Sequence, residues 1–205
     1  PAADQDALTA MGHELDSVNM EALSEFSDVV YVPRRKCGWG TWSLVDRTQA
    51  GAALLLERFP DLRHVALISG ACLPLRPVAE LRAYLDARPD TDFIESVTTR
   101  DVPWTAGGLD HERFSLFFPV SWKSRRRLFD RLVRVQRRLG VRRRVPEGIE
   151  PHMGSQWWCL TRQTLDAILR DPKRDLYDAY FRKVWIPDES YYQTLTRHHA
   201  RTVES

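Results

Sequence analysis

The sequence contains few cysteines and no long apolar run. Cys37, Cys72 and Cys159 are the three cysteines among 205 residues, and no CxxC pair occurs. This odd, widely spaced set argues against a disulfide framework and a structural zinc site, and it favours a reducing compartment. No stretch approaches the ~20 apolar residues of a membrane-spanning helix, and the first residues lack a charged-then-apolar leader. These absences predict a soluble, cytoplasmic protein.

Lysine is also scarce, because only four of the 30 basic residues are lysine. We interpret this bias as GC-rich, bacterial coding. The basic residues are unevenly spread: residues 123–144 contain 11 of them and a single acid, Asp130, although the net charge of the whole chain is only +2. Such asymmetry usually indicates an anionic partner.

The basic region has the periodicity of an amphipathic helix. Apolar residues recur at 128, 132, 135 and 139, which predicts a helix over 121–139 with a basic outer face. This face could be merely solvated, or it could bind an anionic membrane surface or an anionic glycan. We do not expect nucleic acid as the partner, because no stacking aromatics alternate with the arginines and no nucleic-acid motif is present.

Short apolar runs alternate with longer amphipathic segments, a pattern typical of α/β domains. Continuous runs such as Val-Ala-Leu-Ile at 65–68 predict strands buried on both faces, so we expect one domain over 1–205 with a mostly parallel central sheet flanked by helices. The predicted helices are 3–15, 43–59, 77–87, 121–139, 163–170, 177–184 and 190–198, and the predicted strands are 29–32, 64–69, 93–96 and 156–161. The irregular stretch 99–119 is long for a connection, which predicts a functional loop.

The first candidate binding segment is Cys37-Gly38-Trp39-Gly40-Thr41-Trp42-Ser43, between a predicted strand and a predicted helix. Ligands of open α/β sheets bind at strand ends. Trp39, beside the flexible Gly40, suits a stacked nucleotide base, and the helix start attracts anions. The segment is neither GxGxxG nor a P-loop, and a core tryptophan between tight turns explains it equally well.

Two further regions add polar and aromatic candidates. Ser69 and Gly70 follow a predicted strand and form either part of a donor site or a plain turn and helix cap. Trp157 suits a platform for a sugar ring. In Pro187-Asp188-Glu189-Ser190, one carboxylate at a helix start could act as a general base, or both acids could be ordinary first-turn residues.

No metal site is expected. Asp90-Thr91-Asp92 matches the DxD motif of manganese-binding sites. However, it precedes a predicted strand instead of following one, so we interpret it as a turn. His152, His198 and His199 offer no metal-ligand spacing on one helix face.

Five segments together carry a family resemblance. They are Trp-Gly-Thr-Trp-Ser-Leu-Val, Leu-Ile-Ser-Gly-Ala-Cys-Leu-Pro-Leu-Arg-Pro, Asp-Phe-Ile-Glu, Gly-Ser-Gln-Trp-Trp-Cys-Leu-Thr-Arg and Pro-Asp-Glu-Ser-Tyr-Tyr-Gln-Thr. In this order they resemble the Core-2/I-branching β-1,6-N-acetylglucosaminyltransferases, a family that includes peptide xylosyltransferases. The resemblance runs from about residue 29 to 197. It implies a GT-A nucleotide-sugar fold and an inverting, metal-independent transfer of N-acetylglucosamine from UDP-N-acetylglucosamine to a sugar hydroxyl of a glycan, with no cofactor.

The resemblance also implies roles for individual residues. The catalytic base falls on Glu189, the uridine-stacking aromatic on Trp39, and two acceptor-sugar contacts on Glu95 and Arg113. With the segments above, the candidates are Trp39, Gly40, Ser69 and Gly70 for the donor, and Glu95, Arg113 and Trp157 for the acceptor. The family's diphosphate-binding cations would follow Ser205, and a strand of its donor site would precede Pro1, so we expect a domain incomplete at both ends.

Two alternatives to N-acetylglucosamine transfer remain open. The same motifs serve xylosyl transfer, and a non-catalytic module could use the tryptophans and the basic helix to bind an anionic glycan or lipid. For the enzyme, we expect a cytoplasmic location, peripheral at the inner face of a bacterial membrane.

Overall fold

The computed structural model describes residues 29–30, 32–33, 35–101 and 109–205. The predicted helix 3–15 lies outside them. The helices are α1 (Trp42–Arg58), α2 (Val78–Asp86), α3 (Glu112–Ser115), α4 (Arg126–Arg138), α5 (Arg162–Leu169), α6 (Arg174–Phe181) and α7 (Tyr191–His199), and a 3₁₀ turn covers Pro187–Glu189. The strands are β1 (His64–Leu67), β2 (Thr91–Ile94), β3 (Val97–Thr98), β4 (His152–Met153), β5 (Trp158–Thr161) and β6 (Thr202–Glu204).

The main sheet is mixed, with the strand order β1-β5-β2-β6. β5 pairs antiparallel with both β1 and β2, and the pairing of β2 with β6 is parallel. The α/β class is confirmed, but the prediction of a mostly parallel sheet is wrong for the described strands, since one neighbouring pair of three is parallel. Burial on both faces makes a strand apolar whichever way it runs, so the apolar run in β5 did not reveal its direction.

Several short elements differ from the sequence prediction. β3, β4 and β6 have only two or three residues, too few to show a periodicity, and they were not predicted. The stretch 99–119 contains α3. The described residues of the predicted strand 29–32 form no strand, and the basic helix α4 begins at Arg126 instead of residue 121.

The core is formed by α1, α5 and α7 together with the main sheet. Its fully buried side chains include Leu160, Leu165, Ile168, Tyr191 and Leu195. Burying these apolar groups supplies most of the driving force for folding. Because α7 follows the 3₁₀ turn almost directly, a rigid α7 fixes the position of that turn.

A buried polar network ties α7 to its neighbours. Tyr191 donates its hydroxyl proton to Asp178 Oδ1 at 2.8 Å, and Gln49 Nε2 donates to the Tyr191 hydroxyl oxygen at 2.8 Å. Arg174 Nη2 in turn donates to Gln49 Oε1 at 3.1 Å. These bonds join α1, α6 and the start of α7, and they satisfy polar groups that would be costly to bury unpaired.

α4 docks through one face only. Phe129 and Val133 are buried against Leu116 and Phe118, whereas most other side chains of the helix are exposed. Within the described residues, no helix combines the length and apolarity needed to cross a membrane.

Gly154, just before β5, lies against the backbone that follows β2. A Cβ atom at Gly154 would lie 1.9 Å from the carbonyl oxygen of Glu95. Only glycine, which has no side chain, fits at this position without a steric clash. The Gly154 N–H also donates to the backbone oxygen of Glu189 at 3.0 Å. Gly154 therefore lets three chain segments meet.

We predict that Gly154→Ala destabilises the protein by about 3 kcal/mol, since the added methyl group must displace backbone atoms. Gly70→Ala is the matched control, because no atom lies within 4 Å of a Cβ built at Gly70. Urea unfolding of both variants measures the difference. Equal stabilities of the two variants would show that the close approach is relaxed at no cost.

Candidate functional site

The candidate site lies at one edge of the main sheet. Leu67, the last residue of β1, and Ile94, the last residue of β2, both pair with Trp158, the first residue of β5. The ends of β1 and β2 and the beginning of β5 therefore coincide. Since β5 runs in the opposite direction, the segment before it reaches the same edge as the segments after β1 and β2.

A cavity of about 370 Å³ opens at this edge. It is lined by Cys37, Gly38, Trp39, Leu44, Val45, Thr48, Leu67, Ser69, Lys123, Gln156, Trp157, Asp188 and Tyr192. Three predicted site residues, Trp39, Ser69 and Trp157, are therefore brought together from three distant parts of the chain. The volume and the aromatic lining with a few polar groups are typical of a small-ligand site.

Lys123 supplies the cation of this cavity, and the sequence reasoning did not single it out. Its ammonium nitrogen lies 5.9 Å from the centre of the Trp39 ring, within the range of a cation–π contact. The Trp39 side chain is 48% exposed, so its ring is accessible to a ligand. Lys123 was assigned to the basic helix, but that helix begins at Arg126, and Lys123 lies before it.

Glu189 and Glu95 lie together beside the cavity, in a carboxylate cluster. The Ser155 N–H donates to Glu95 Oε2 at 2.8 Å, and the Gly154 N–H donates to the backbone oxygen of Glu189. Glu95 is close enough for its charge to raise the pKa of Glu189. The predicted base and one predicted acceptor contact are thus neighbours, although 94 positions separate them in the sequence.

Arg113 is buried next to Glu189. The Arg113 side chain is 0% exposed, and its Nη1 lies 3.7 Å from Glu189 Oε2, which is an ion pair too long for a hydrogen bond. Its guanidinium also lies 5.2 Å from the centre of the Trp185 ring. Its three guanidinium nitrogens are buried without a hydrogen-bond partner among the described residues, which costs free energy in the folded protein.

The two adjacent acids of the 3₁₀ turn face different surroundings. Asp188 lines the cavity and Glu189 faces Arg113. Burial, together with the smaller effect of the Glu189 charge, raises the pKa of Asp188 to about 7, although a backbone hydrogen bond and the Arg113 charge act in the opposite direction. Burial also raises the pKa of Glu189, which the Arg113 charge partly offsets. Both carboxylates therefore take up a proton more readily than an exposed acid would.

Asp188 does not occupy a helix-capping position. Ile186 and Ser190 occupy the cap positions of the 3₁₀ turn and of α7, and Asp188 Oδ1 is buried without a partner among the described residues. Ile186 has φ 53° and ψ 67°, a left-handed conformation that is strained for a β-branched residue. This bend in the backbone aims the two acids at the cavity and at Arg113.

Two predicted donor residues do not line the cavity. Gly40 has φ +61° and lies against Ile186, where a Cβ would be 3.3 Å from Ile186 Cγ1. Gly70 is exposed, with open space around it. Both glycines lie in turns, as the alternative to a donor-binding role predicts. Neither lines the cavity in this structure.

The Asp90-Thr91-Asp92 segment is not a turn throughout, because β2 begins at Thr91. Asp92 is fully buried and accepts hydrogen bonds from the Thr161 N–H and the Thr164 hydroxyl, both at 2.6 Å. It lies toward the opposite end of β2 from Glu95. Its carboxylate thus links β2 to the junction of β5 and α5.

Asp171, His198 and His199 place potential ligand atoms within 4.8 Å of one another. The third group, Asp171, comes from another segment of the chain, so a search along one helix face does not reveal this arrangement. His199 Nε2 lies 2.9 Å from Asp171 Oδ2. The cluster is at the far end of α7, roughly 14 Å along the helix from Glu189.

Comparison with known proteins identifies a family. The model of the Core-2/I-Branching enzyme family matches residues 4–204, nearly the whole chain. A comparison with curated proteins found no match to this chain.

The raised pKa of Asp188 predicts how stability depends on pH. An unfolded Asp with a pKa of 3.8 ionises before the folded one does at about 7, so the folded state loses stability as the pH rises from about 4 to 7. Asp188→Asn removes this loss. We expect the variant to match the wild type near pH 4 and to be more stable, by roughly 2–4 kcal/mol, at pH 8.

Urea unfolding at both pH values measures this effect. Glu189 is present in both proteins, so its own titration largely cancels in the comparison. A variant that is less stable than the wild type at pH 8 would show that the ionised Asp188 carboxylate stabilises the folded state.

Proposed function

Because the chain belongs to the Core-2/I-branching enzyme family, a family of glycosyltransferases, we propose that it transfers N-acetylglucosamine from UDP-N-acetylglucosamine to a sugar hydroxyl, forming a β-1,6 branch with inversion and without a metal. The acceptor is a glycan at an anionic membrane surface. The observation that carries the proposal is the 3₁₀ turn, where a tryptophan-lined cavity ends at Asp188 and a base candidate, Glu189, follows directly.

The cavity is the proposed donor site. Trp39 stacks on the uracil ring, as aromatic side chains do with nucleic bases. Lys123 lies beside Trp39 and would bind the diphosphate, a role for which a point charge on a flexible side chain is suited. Trp157 and Ser69 line the same cavity and would contact the sugar.

Glu189 is the proposed general base. A sugar hydroxyl is a weak nucleophile at neutral pH, so a carboxylate must remove its proton as the oxygen attacks the anomeric carbon. The new glycosidic bond forms as the bond from that carbon to the diphosphate oxygen breaks, the proton moves to Glu189, and UDP leaves. The raised pKa of Glu189 suits it to hold this proton.

Arg113 and Glu95 flank the base and would bind the acceptor. Burial raises the pKa of Glu189, and the charge of the Arg113 guanidinium opposes this effect. Because the guanidinium is buried, its contact with an acceptor hydroxyl would require neighbouring side chains to move. One carboxylate oxygen of Glu95 accepts a hydrogen bond from the Ser155 N–H. The other oxygen can accept a hydrogen bond from a hydroxyl group of the acceptor sugar. As UDP leaves, Lys123 would stabilise the growing negative charge on the diphosphate.

Xylosyl transfer is the second candidate within the family, since no residue in the described lining of the cavity selects between two UDP-sugars. A non-catalytic binding module is supported less well. Such a module has no need of a partly buried carboxylate with a raised pKa beside a buried guanidinium and next to a ligand cavity.

We predict that Glu189→Gln lowers kcat by roughly 10² to 10⁴ while the dissociation constant of UDP hardly changes, because glutamine keeps the shape but cannot accept the proton. Glu57→Gln, at an exposed position of α1, is the matched control. UDP release from UDP-N-acetylglucosamine and from UDP-xylose, in the presence of EDTA, measures turnover and donor choice. Normal turnover of Glu189→Gln would assign the base elsewhere, and activity that needs added manganese would disprove the metal-independent mechanism.

Lys123→Met should weaken UDP binding more than uridine binding, by about tenfold or more, because only UDP carries the charge that Lys123 is proposed to bind. Lys173→Met makes the same change at an exposed residue of another segment and should leave both affinities unaltered. Calorimetric titration with UDP and uridine measures the two losses. Equal losses for the two ligands would show that Lys123 acts only through the packing of Trp39.

A further inference from the structure

Four exposed arginines form a basic stripe along α4: Arg127, Arg131, Arg134 and Arg138. At about 100° per residue, these positions fall within an arc of about 60° on the helix. The described residues offer the stripe no acidic partner, since the two acids that pair with this helix, Asp130 and Glu112, bind Arg126 and Arg137. The stripe is therefore a concentration of positive charge that no ion pair within the described part of the chain neutralises.

An apolar stripe runs beside the basic one. Leu128, Val135 and Leu139 are 40%, 45% and 72% exposed, and they fall within an arc of about 40°, a quarter turn from the centre of the arginines. They are distinct from Phe129 and Val133, which dock the helix to the protein. α4 thus uses one apolar face for its own core and presents a second one to solvent.

We propose that these two stripes bind the protein to the surface of an anionic lipid bilayer, with α4 lying in the plane of the interface. In this orientation the apolar stripe enters the boundary between headgroups and acyl chains, and the arginines bind lipid phosphates. The proposal rests on the proposed function in one respect, because it identifies α4 as the surface by which the enzyme reaches an acceptor at the membrane. Lipid binding through α4 does not itself require catalysis.

The apolar stripe is the observation that selects a membrane as the partner. A nucleic acid or a sulfated glycan would engage the arginines but would leave Leu128, Val135 and Leu139 in water, since phosphate and sulfate groups gain nothing from apolar contact. No aromatic side chain within α4 is exposed for base stacking, because Phe129 is buried. A bilayer interface satisfies both stripes at once.

The test is co-sedimentation of the full chain with vesicles of equal parts phosphatidylcholine and phosphatidylglycerol, and with vesicles of phosphatidylcholine alone. We expect clear binding to the anionic vesicles that weakens with added salt. Arg131→Glu with Arg134→Glu should reduce the partition coefficient at least roughly tenfold. The matched control, Arg58→Glu with Arg82→Glu, makes the same change in net charge on α1 and α2 and should have little effect.

The apolar stripe is tested without changing any charge. Val135→Ser with Leu139→Ser should reduce vesicle partition by roughly threefold to tenfold. Leu73→Ser with Leu75→Ser is its control, at residues that are 83% and 99% exposed in the segment before α2. Circular dichroism and melting temperature check that each variant is folded, and UDP binding should be unchanged in all four.

Three outcomes would overturn the proposal. The first is binding to vesicles that ignores lipid charge or the arginine variants. The second is a loss confined to the control pairs, which would place the contact near α2. The third is tighter binding to heparin or to random-sequence duplex DNA that depends on the arginines but not on Val135 and Leu139, which would identify a polyanion instead of a bilayer as the partner.

Discussion

The antiparallel insertion of β5 between β1 and β2 is the constraint on which the site depends. The pairing of Trp158 with both Leu67 and Ile94 brings the beginning of β5 to the edge where the other two strands end. Trp157 therefore meets Ser69 in one cavity, and Ser155 meets Glu95. In a parallel arrangement the Gly154–Trp158 segment would lie at the opposite edge, far from the donor and acceptor candidates. The close approach at Gly154 fixes the same junction, because a side chain there would separate Glu95 from Glu189.

The second feature of the site is a group of buried and partly buried charged side chains, Arg113, Asp188 and Glu189. Burial raises the pKa of both Asp188 and Glu189, and the charge of the Arg113 guanidinium opposes both shifts. Removing charges from water is costly, so such a group of residues is weak support for stability and is better explained by chemistry. The strained Ile186 adds a further local cost. The well-packed core around α7 and the hydrogen-bond network of Tyr191, Gln49 and Asp178 offset these free-energy costs.

The donor chemistry and the surface binding lie in adjacent but separate parts of the chain. Lys123 precedes α4 and lines the cavity, whereas the arginines of the basic stripe are on the exposed side of the helix. The single basic region of the sequence thus divides into Lys123, which we propose binds the diphosphate, and the basic stripe, which we propose binds an anionic surface. A helix that docks by Phe129 and Val133 alone leaves its remaining faces free for such a contact.

The sequence by itself determined the α/β class, most of the longer helices and the family, since apolar periodicity and residue motifs are local properties of the chain. It also identified Glu189, Trp39, Glu95, Arg113 and Trp157 as candidates, though their roles rest on the resemblance and remain proposals. Only the tertiary structure decided the direction of β5, the pairing of Arg113 with Glu189, the place of Lys123 in the cavity and the burial of Asp188. Each of these depends on contacts between residues far apart in the sequence. Neither strand direction nor the local dielectric around an acid has a signature in a short stretch of residues, because both arise from what the rest of the chain packs against it.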